Sequence, residues 1–214
     1  MRHKIVLFGD SLTSGENNDF QGIGYFTQAN TTVTQDFIYV SESGTCVGDY
    51  SIYPVDSYLF KMLKDNRNTV AEADIIVLEF GINDVMSLLR EYTTLEKVHI
   101  DLAKCRDFIG QVNPNARAFF VTSTLDKITE YSAKQVEYVN YDYLKTTMTR
   151  QMRSFETLSF ENYYKCFIHY AEQLFDIVKL DIFSTTLQHL DEDDGLHPDG
   201  YGYEILGRQL LEQL

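Results

Sequence analysis

Lys4-Ile5-Val6-Leu7-Phe8-Gly9-Asp10-Ser11-Leu12 stands almost at the start of the chain and decides how the rest is read. Ile5 to Phe8 are apolar at every position rather than at every second one. A short run of this kind suits a strand covered on both faces, as in a parallel sheet, more than one with a wet side. Gly9-Asp10-Ser11 then ends it. Gly-Asp-Ser is ordinary turn punctuation, and Ser11 or Asp10 would serve equally well as a helix cap. The same three residues would also deliver a hydroxyl to the rim of a sheet.

Similar runs recur along the chain. Phe37–Val40, Ile75–Phe80, Ala118–Val121 and Val178–Phe183 read as four further strands. Between them lie segments of helical period: Tyr58, Leu59, Met62 and Leu63 form one stripe, Leu95, Val98, Leu102 and Ile109 another. Near the end, Tyr203, Leu206, Leu210 and Leu211 line one face, with Pro198 where a first helical turn would begin. Alternating strand and helix predicts an α/β sandwich with a parallel sheet. No repeat, linker or low-complexity tract divides the chain, so residues 1–214 are read as a single domain. More than fifty residues separate the fourth and fifth strands. Glu161–Phe175 reads as a helix, and the tyrosine-rich stretch before it, about 128–157, as a helical insertion or lid; it carries Tyr131, Tyr138, Tyr141 and Tyr143.

Composition narrows the functions. Lys and Arg total 18 against 32 Asp and Glu, a formal net charge of −14, which is repelled by phosphate backbones and anionic membranes. Nucleic-acid binding is set aside on that ground. No apolar stretch approaches the ~20 residues of a membrane span, and the basic start is followed by too few apolar residues for a signal peptide. No integral membrane association is expected, and a cytoplasmic location is the simplest reading. Cys46, Cys105 and Cys166 are odd in number and widely spaced, showing neither a disulfide framework nor metal spacing. Cys46 is read as a small buried apolar residue.

Parallel sheets place their working loops at the carboxyl ends of the strands. In turn these ends carry Gly9-Asp10-Ser11-Leu12, Ser41-Glu42-Ser43-Gly44-Thr45, Gly81-Ile82-Asn83-Asp84 and, beyond the fifth strand, Asp194-Gly195-Leu196-His197-Pro198. A hydroxyl nucleophile, small residues with free N–H groups, an amide side chain and an acid–base pair thus fall on one edge. Taken singly, Asn83 is most often a turn or cap residue, and the acidic run Asp191–Asp194 a solvated face. Only jointly do they describe a site. A metal reading of the acidic run fails: counting back from Gly195 puts Leu190 at the first position of a calcium loop, and Tyr201 where its glutamate belongs. His189 and His197 lack an HExxH or CxxC context for zinc. Neither a phosphate loop nor a dinucleotide turn is present, so no cofactor and no metal are expected.

FGDSL, GIND and DGLHP, spanning nearly the whole chain in this order, together resemble the GDSL, or SGNH, hydrolase family. The resemblance implies a three-layer αβα sandwich, flavodoxin-like, with a parallel sheet of about five strands and an esterase site. It makes Ser11 the nucleophile, Asp194 and His197 the acid and base, and the N–H of Ser11, the N–H of Gly44 and the amide of Asn83 the oxyanion hole. Asp10, Gly81 and Asp84 would support them. SESGTCVG offers Gly44 and Gly48 for the second backbone donor, and Ser43-Gly44-Thr45 better mimics the family's turn. The serine is not in a GxSxG elbow, which separates the chain from α/β-hydrolases. The implied function is hydrolysis of carboxylic esters through an acyl-enzyme, with a small-molecule acyl ester as partner. Short-acyl esters, such as O-acetyl esters of carbohydrates, stand ahead of longer chains of the lysophospholipase or thioesterase kind. A non-catalytic module binding an acyl ligand is the reading from a different class.

Overall fold

The computed structural model describes residues 3–15, 18–143, 150–191 and 196–214, the side chains of 136–143 and 150–156 excepted. The elements run in the order β1 (His3–Gly9), α1 (Ser11–Ser14), α2 (Ile23–Ala29), β2 (Gln35–Ser41), α3 (Leu59–Asp65), α4 (Arg67–Glu72), β3 (Ile75–Glu79), α5 (Ile82–Leu89), α6 (Leu95–Val112), β4 (Arg117–Ser123), α7 (Ile128–Tyr143), α8 (Arg150–Leu174), β5 (Asp176–Leu180), α9 (Ile182–Gln188) and α10 (Gly200–Gln213). Among the described residues the strands form one sheet in the order β2-β1-β3-β4-β5, and every neighbouring pair is parallel. This is the flavodoxin-like order, and its reversal point lies between β1 and β3, where a crevice opens at the carboxyl ends.

The unbroken apolar runs have the burial their pattern implies. Val6, Phe8, Ile76, Leu78 and Phe120 face one core, shared with Leu63 of α3, Val70 of α4, Leu102 of α6 and Phe167 of α8. Ile5, Leu7, Val77, Phe119, Val121 and Leu180 face the other, shared with Ile23 of α2, Phe183 of α9 and Tyr203, Leu206 and Leu210 of α10. Successive side chains of a strand point to opposite faces, so each run fills both cores at once.

Two boundaries differ from expectation. The last strand is Asp176–Leu180, not Val178–Phe183. At Asp181 the main-chain N–H donates to Oε1 of Gln209 and the carboxylate accepts from the Thr124 hydroxyl at 2.9 Å, which draws the chain out of the ladder. Ile182 and Phe183 are buried, but on a helix. Pro198 does not open the terminal helix either. Asp199 is its N-cap, accepting from the N–H of Gly202 at 2.8 Å, and Pro198 instead forms a bridge to Leu190. The segment 128–157 falls on α7, on the start of α8 and on residues outside the described ones; the helix expected at Glu161–Phe175 is the later part of α8.

Register between β1 and β3 sets the geometry of the edge. Gly9 lies opposite Glu79, and a Cβ at position 9 would sit 1.9 Å from Oγ1 of Thr13 and 3.1 Å from Oε2 of Glu79. The glycine is therefore required by close packing, not by a turn. Gly9→Ala should lower the urea unfolding free energy by about 1–3 kcal/mol through overpacking; a change within experimental error would show that Thr13 and Glu79 have room to give.

Candidate active site

Strand β1 ends at Gly9 because Asp10 leaves the ladder to cap α1. Its Oδ1 accepts from the N–H of Leu12 at 3.0 Å. Ser11 is the first residue of that one-turn helix, which Gly15 closes with φ +72°. Ser11 is thereby fixed at the rim of the sheet, mostly buried but lining a pocket.

The imidazole comes from the far end of the chain. Nε2 of His197 lies 2.9 Å from Oγ of Ser11. A short ladder holds it there: the N–H of Asp191 donates to the carbonyl of His197 at 2.9 Å, and the N–H of Asp199 to the carbonyl of His189. Leu190 and Pro198 form the bridge between these two links. Gly202 of α10 lies beneath, where a Cβ would meet the side chains of Pro198 at 2.8 Å and His189 at 2.9 Å. Asp194 lies outside the described residues.

Asn83 sits in the first turn of α5, behind Gly81. Gly81 has φ +131°, and a Cβ there would meet the Phe167 ring at 2.7 Å, so the sharp entry to the helix needs glycine twice over. Nδ2 of Asn83 donates to Oδ2 of Asp10 and to the carbonyl of Thr45, each at 3.1 Å. Both amide hydrogens are thus engaged. Gly44 has φ +74°, with Tyr53 packed where a side chain would be, and it lines the same pocket as Ser11, Asn83 and His197. Gly48 is used differently: a Cβ there would strike Asp101 and Tyr50.

Asp84 ties this loop to α5. Its Oδ1 accepts from the N–H of Val47 at 3.0 Å and from the Tyr50 hydroxyl at 2.7 Å. Its Oδ2 has no hydrogen-bond partner among the described residues. Burial pushes the Asp84 carboxyl up to about 6 against the lowering effect of Tyr50 and Val47. Cys46, on the same loop, is buried with Sγ 3.5 Å from the Ser87 hydroxyl. Burial likewise raises Asp10, with the charge of neighbouring Glu79 as the next cause, and raises Glu79.

The pocket encloses about 400 Å³. Tyr131 and Gln135 of α7 also line it, with Nε2 of Gln135 donating to the Tyr131 hydroxyl at 2.7 Å. Tyr131 is held by stacking on Phe183 at 4.5 Å. Tyr53, Val55, Ile82 and Leu196 complete the walls. Sequence reading did not single out Glu79, Tyr53 or Gln135. Glu79 had a signal: it is the one charged residue inside the apolar run Ile75–Phe80. Tyr53 and Gln135 had none, because their place depends on tertiary packing.

This edge, where Ser11 of FGDSL and His197 meet across 2.9 Å and Asn83 of GIND lines the same pocket, lies within residues 5–210, which match the GDSL-like lipase/acylhydrolase family. The chain belongs to that family. It is a carboxylic-ester hydrolase. No curated protein matches it in sequence. Among solved structures it is similar to the acetyl xylan esterase AlAXEase, at 16% identity and TM-score 0.65 with 99% of each chain covered. It is also similar to a carbohydrate acetylesterase family member from Sinorhizobium meliloti, at 14% identity and TM-score 0.63, covering 99% of this chain and 96% of that one. The extracellular lipase from Streptomyces rimosus matches at 14% identity and TM-score 0.53, covering 99% of this chain and 98% of that one. At such identities the likeness shows the fold alone. Among the described residues of this GDSL family member, no helix is long and apolar enough to cross a membrane.

The buried Asp84 has a consequence for stability. Its folded pKa of about 6 exceeds the ordinary 3.8, so the native state binds this proton more tightly than the unfolded chain. Asp84 therefore destabilises progressively as pH rises from about 4 through 6, and fully above. Asp84→Asn keeps the Oδ1 acceptor and removes the charge. Its stability relative to wild type should improve by on the order of 1–3 kcal/mol between pH 4.5 and pH 7.5, measured by urea unfolding at both; a difference independent of pH would refute the buried charge.

Proposed function

We propose that the protein hydrolyses short-acyl esters, such as O-acetyl esters of carbohydrates or small molecules, through an acyl-Ser11 intermediate. The observation that carries this reading is the 2.9 Å separation of Ser11 Oγ and His197 Nε2 at a pocket of about 400 Å³. Nε2 of His197 accepts the Ser11 proton as Oγ attacks the carbonyl carbon. The resulting imidazolium gives that proton to the leaving alcohol as the tetrahedral adduct collapses. Water then repeats the sequence on the acyl-serine and releases the acid. Asp194 is the residue proposed to fix the imidazole tautomer and to stabilise the imidazolium.

The oxyanion would be held by the N–H of Ser11, the N–H of Gly44 and the Asn83 amide. Gly44 is favoured over Gly48 because it borders the pocket, whereas Gly48 is packed against Tyr50 and Asp101. One such donor supplies ~2.7–4 kcal/mol to the transition state. The short-acyl preference is supported by the size of the cavity, near the lower end of ligand pockets, and by Tyr131 and Gln135 among its lining residues. Two of the structural relatives, an acetyl xylan esterase and a carbohydrate acetylesterase family member, carry names of the same kind.

Intact-mass analysis after a fluorophosphonate probe should show one adduct on wild type and none on Ser11→Ala. A panel of p-nitrophenyl esters should give kcat/KM highest for acetyl or propionyl and falling steadily towards palmitoyl. A rise with chain length would instead favour a lysophospholipase or thioesterase. No adduct at all would leave a module that binds acyl ligands without turnover.

A further inference from the structure

Tyr131 and Gln135 take no part in the acyl transfer, yet both line the catalytic pocket. They stand one turn apart on α7 and share a face of it. They are 2% and 4% exposed. The Tyr131 ring is stacked on Phe183, and its hydroxyl accepts from Nε2 of Gln135 at 2.7 Å. Among the described residues this is the one hydrogen bond that either side chain makes.

That bond leaves the pair half used. A phenol that accepts still has its own O–H to donate, and Oε1 of Gln135 still has lone pairs to offer. Turning the amide about exchanges these roles and leaves the same sum, one donor and one acceptor. Burial raises the Tyr131 hydroxyl well above its ordinary range, so the donor keeps its proton. Buried polar groups left without partners are costly, and the pocket these two border is the route by which a partner reaches them. A group that answers both must accept and donate at once. An alcohol hydroxyl does so; an ether or ketone oxygen only accepts, and a methyl group does neither. Charge narrows the choice further. Among the described residues no Lys or Arg lines the pocket, so nothing there compensates a desolvated phosphate or carboxylate.

We propose that Tyr131 and Gln135 are specificity-determining residues that together bind a free hydroxyl on the alcohol moiety of the ester, so that the substrate is a partial ester of a neutral polyol or sugar and not an ester of a simple alkanol. The inference rests on the short-acyl reading, because an acetyl group carries no hydroxyl and the one recognised must then belong to the alcohol. A site built to hydrogen-bond a substrate hydroxyl rejects the analogue lacking it, since its own buried groups are then left unpaired. The part of Tyr131 and Gln135 is selection; Ser11 and His197 do the chemistry on whatever is admitted.

Glycerol monoacetate, and the methylbutyl acetate that carries methyl groups in place of both its free hydroxyls, form the test pair. Their kcat/KM values are measured by pH-stat titration on wild type, on Tyr131→Phe and on the double variant Tyr131→Phe/Gln135→Leu. Comparing the ratio of the two esters across enzymes cancels their difference in intrinsic reactivity. Tyr131→Phe should lower the ratio, hydroxylated over apolar, by roughly 3- to 10-fold, the worth of one hydrogen bond. The double variant should lower it further. Because it replaces both partners of a buried bond by apolar groups, a change that folds tolerate well, it decides the matter even if the single variant does not fold. A ratio that stays at the wild-type value overturns the proposal, since a purely structural role would slow both esters alike. A loss seen instead on ethyl glycolate relative to ethyl propionate overturns it too, by putting the hydroxyl on the acyl side. Failure of the ester-hydrolase reading looks different: wild type takes no fluorophosphonate and cleaves neither acetate, and the proposal falls with it.

Discussion

The parallel pairing of β1 with β3 is the constraint on which the rest of this edge depends. Opposite Gly9 it places Glu79; one residue further on, the two strands diverge into α1 and α5, which carry Ser11 and Asn83. Asp10 joins them, capping one helix and holding the amide that begins the other. Ser11 and the Asn83 amide are therefore registered by a backbone ladder, a rigid ruler, and not by loops. Gly9 and Gly81 are the points where this ruler would fail, because side chains of Thr13 and Phe167 fill the space a Cβ needs.

The electrostatics of the edge run against intuition for an enzyme that must stabilise a negative charge. Asp10, Glu79 and Asp84 are all buried within it. A chain of net charge −14 has no shortage of carboxylates for its surface, so their presence here is a matter of position. Asp84 spends its charge on fastening the Gly44 loop through Val47 and Tyr50. Asp10 caps α1 and holds the Asn83 amide, and Glu79 accepts from the Thr13 hydroxyl. Each device lets an acid act as a structural acceptor near a site that tolerates little negative charge.

The strands were legible in the sequence because burial on both faces leaves short, largely apolar runs bounded by turns. The same signal misplaced the end of β5: Ile182 and Phe183 continue the run but belong to a helix, since the break at Asp181 comes from Thr124 and Gln209, far away in sequence. Ser11, Asn83 and His197 could be named because each follows a strand or precedes a helix with a short recognisable string around it. Glu79 was visible only as an anomaly in an apolar strand, and Gln135 not at all; pairings across 66 or more residues, such as Thr13 with Glu79, leave no local trace. The extra segment at 128–157 was legible as helical material, while its contribution to the pocket came down to Tyr131 and Gln135, set by how α7 lies over Phe183.

The ladder at 189–191 and 197–199 gives the imidazole of His197 its footing on the terminal helix. Its two backbone links, seated on Gly202, place the imidazole. A side chain at position 202 would thus disturb the aim of the His197 imidazole from a place that does not line the pocket.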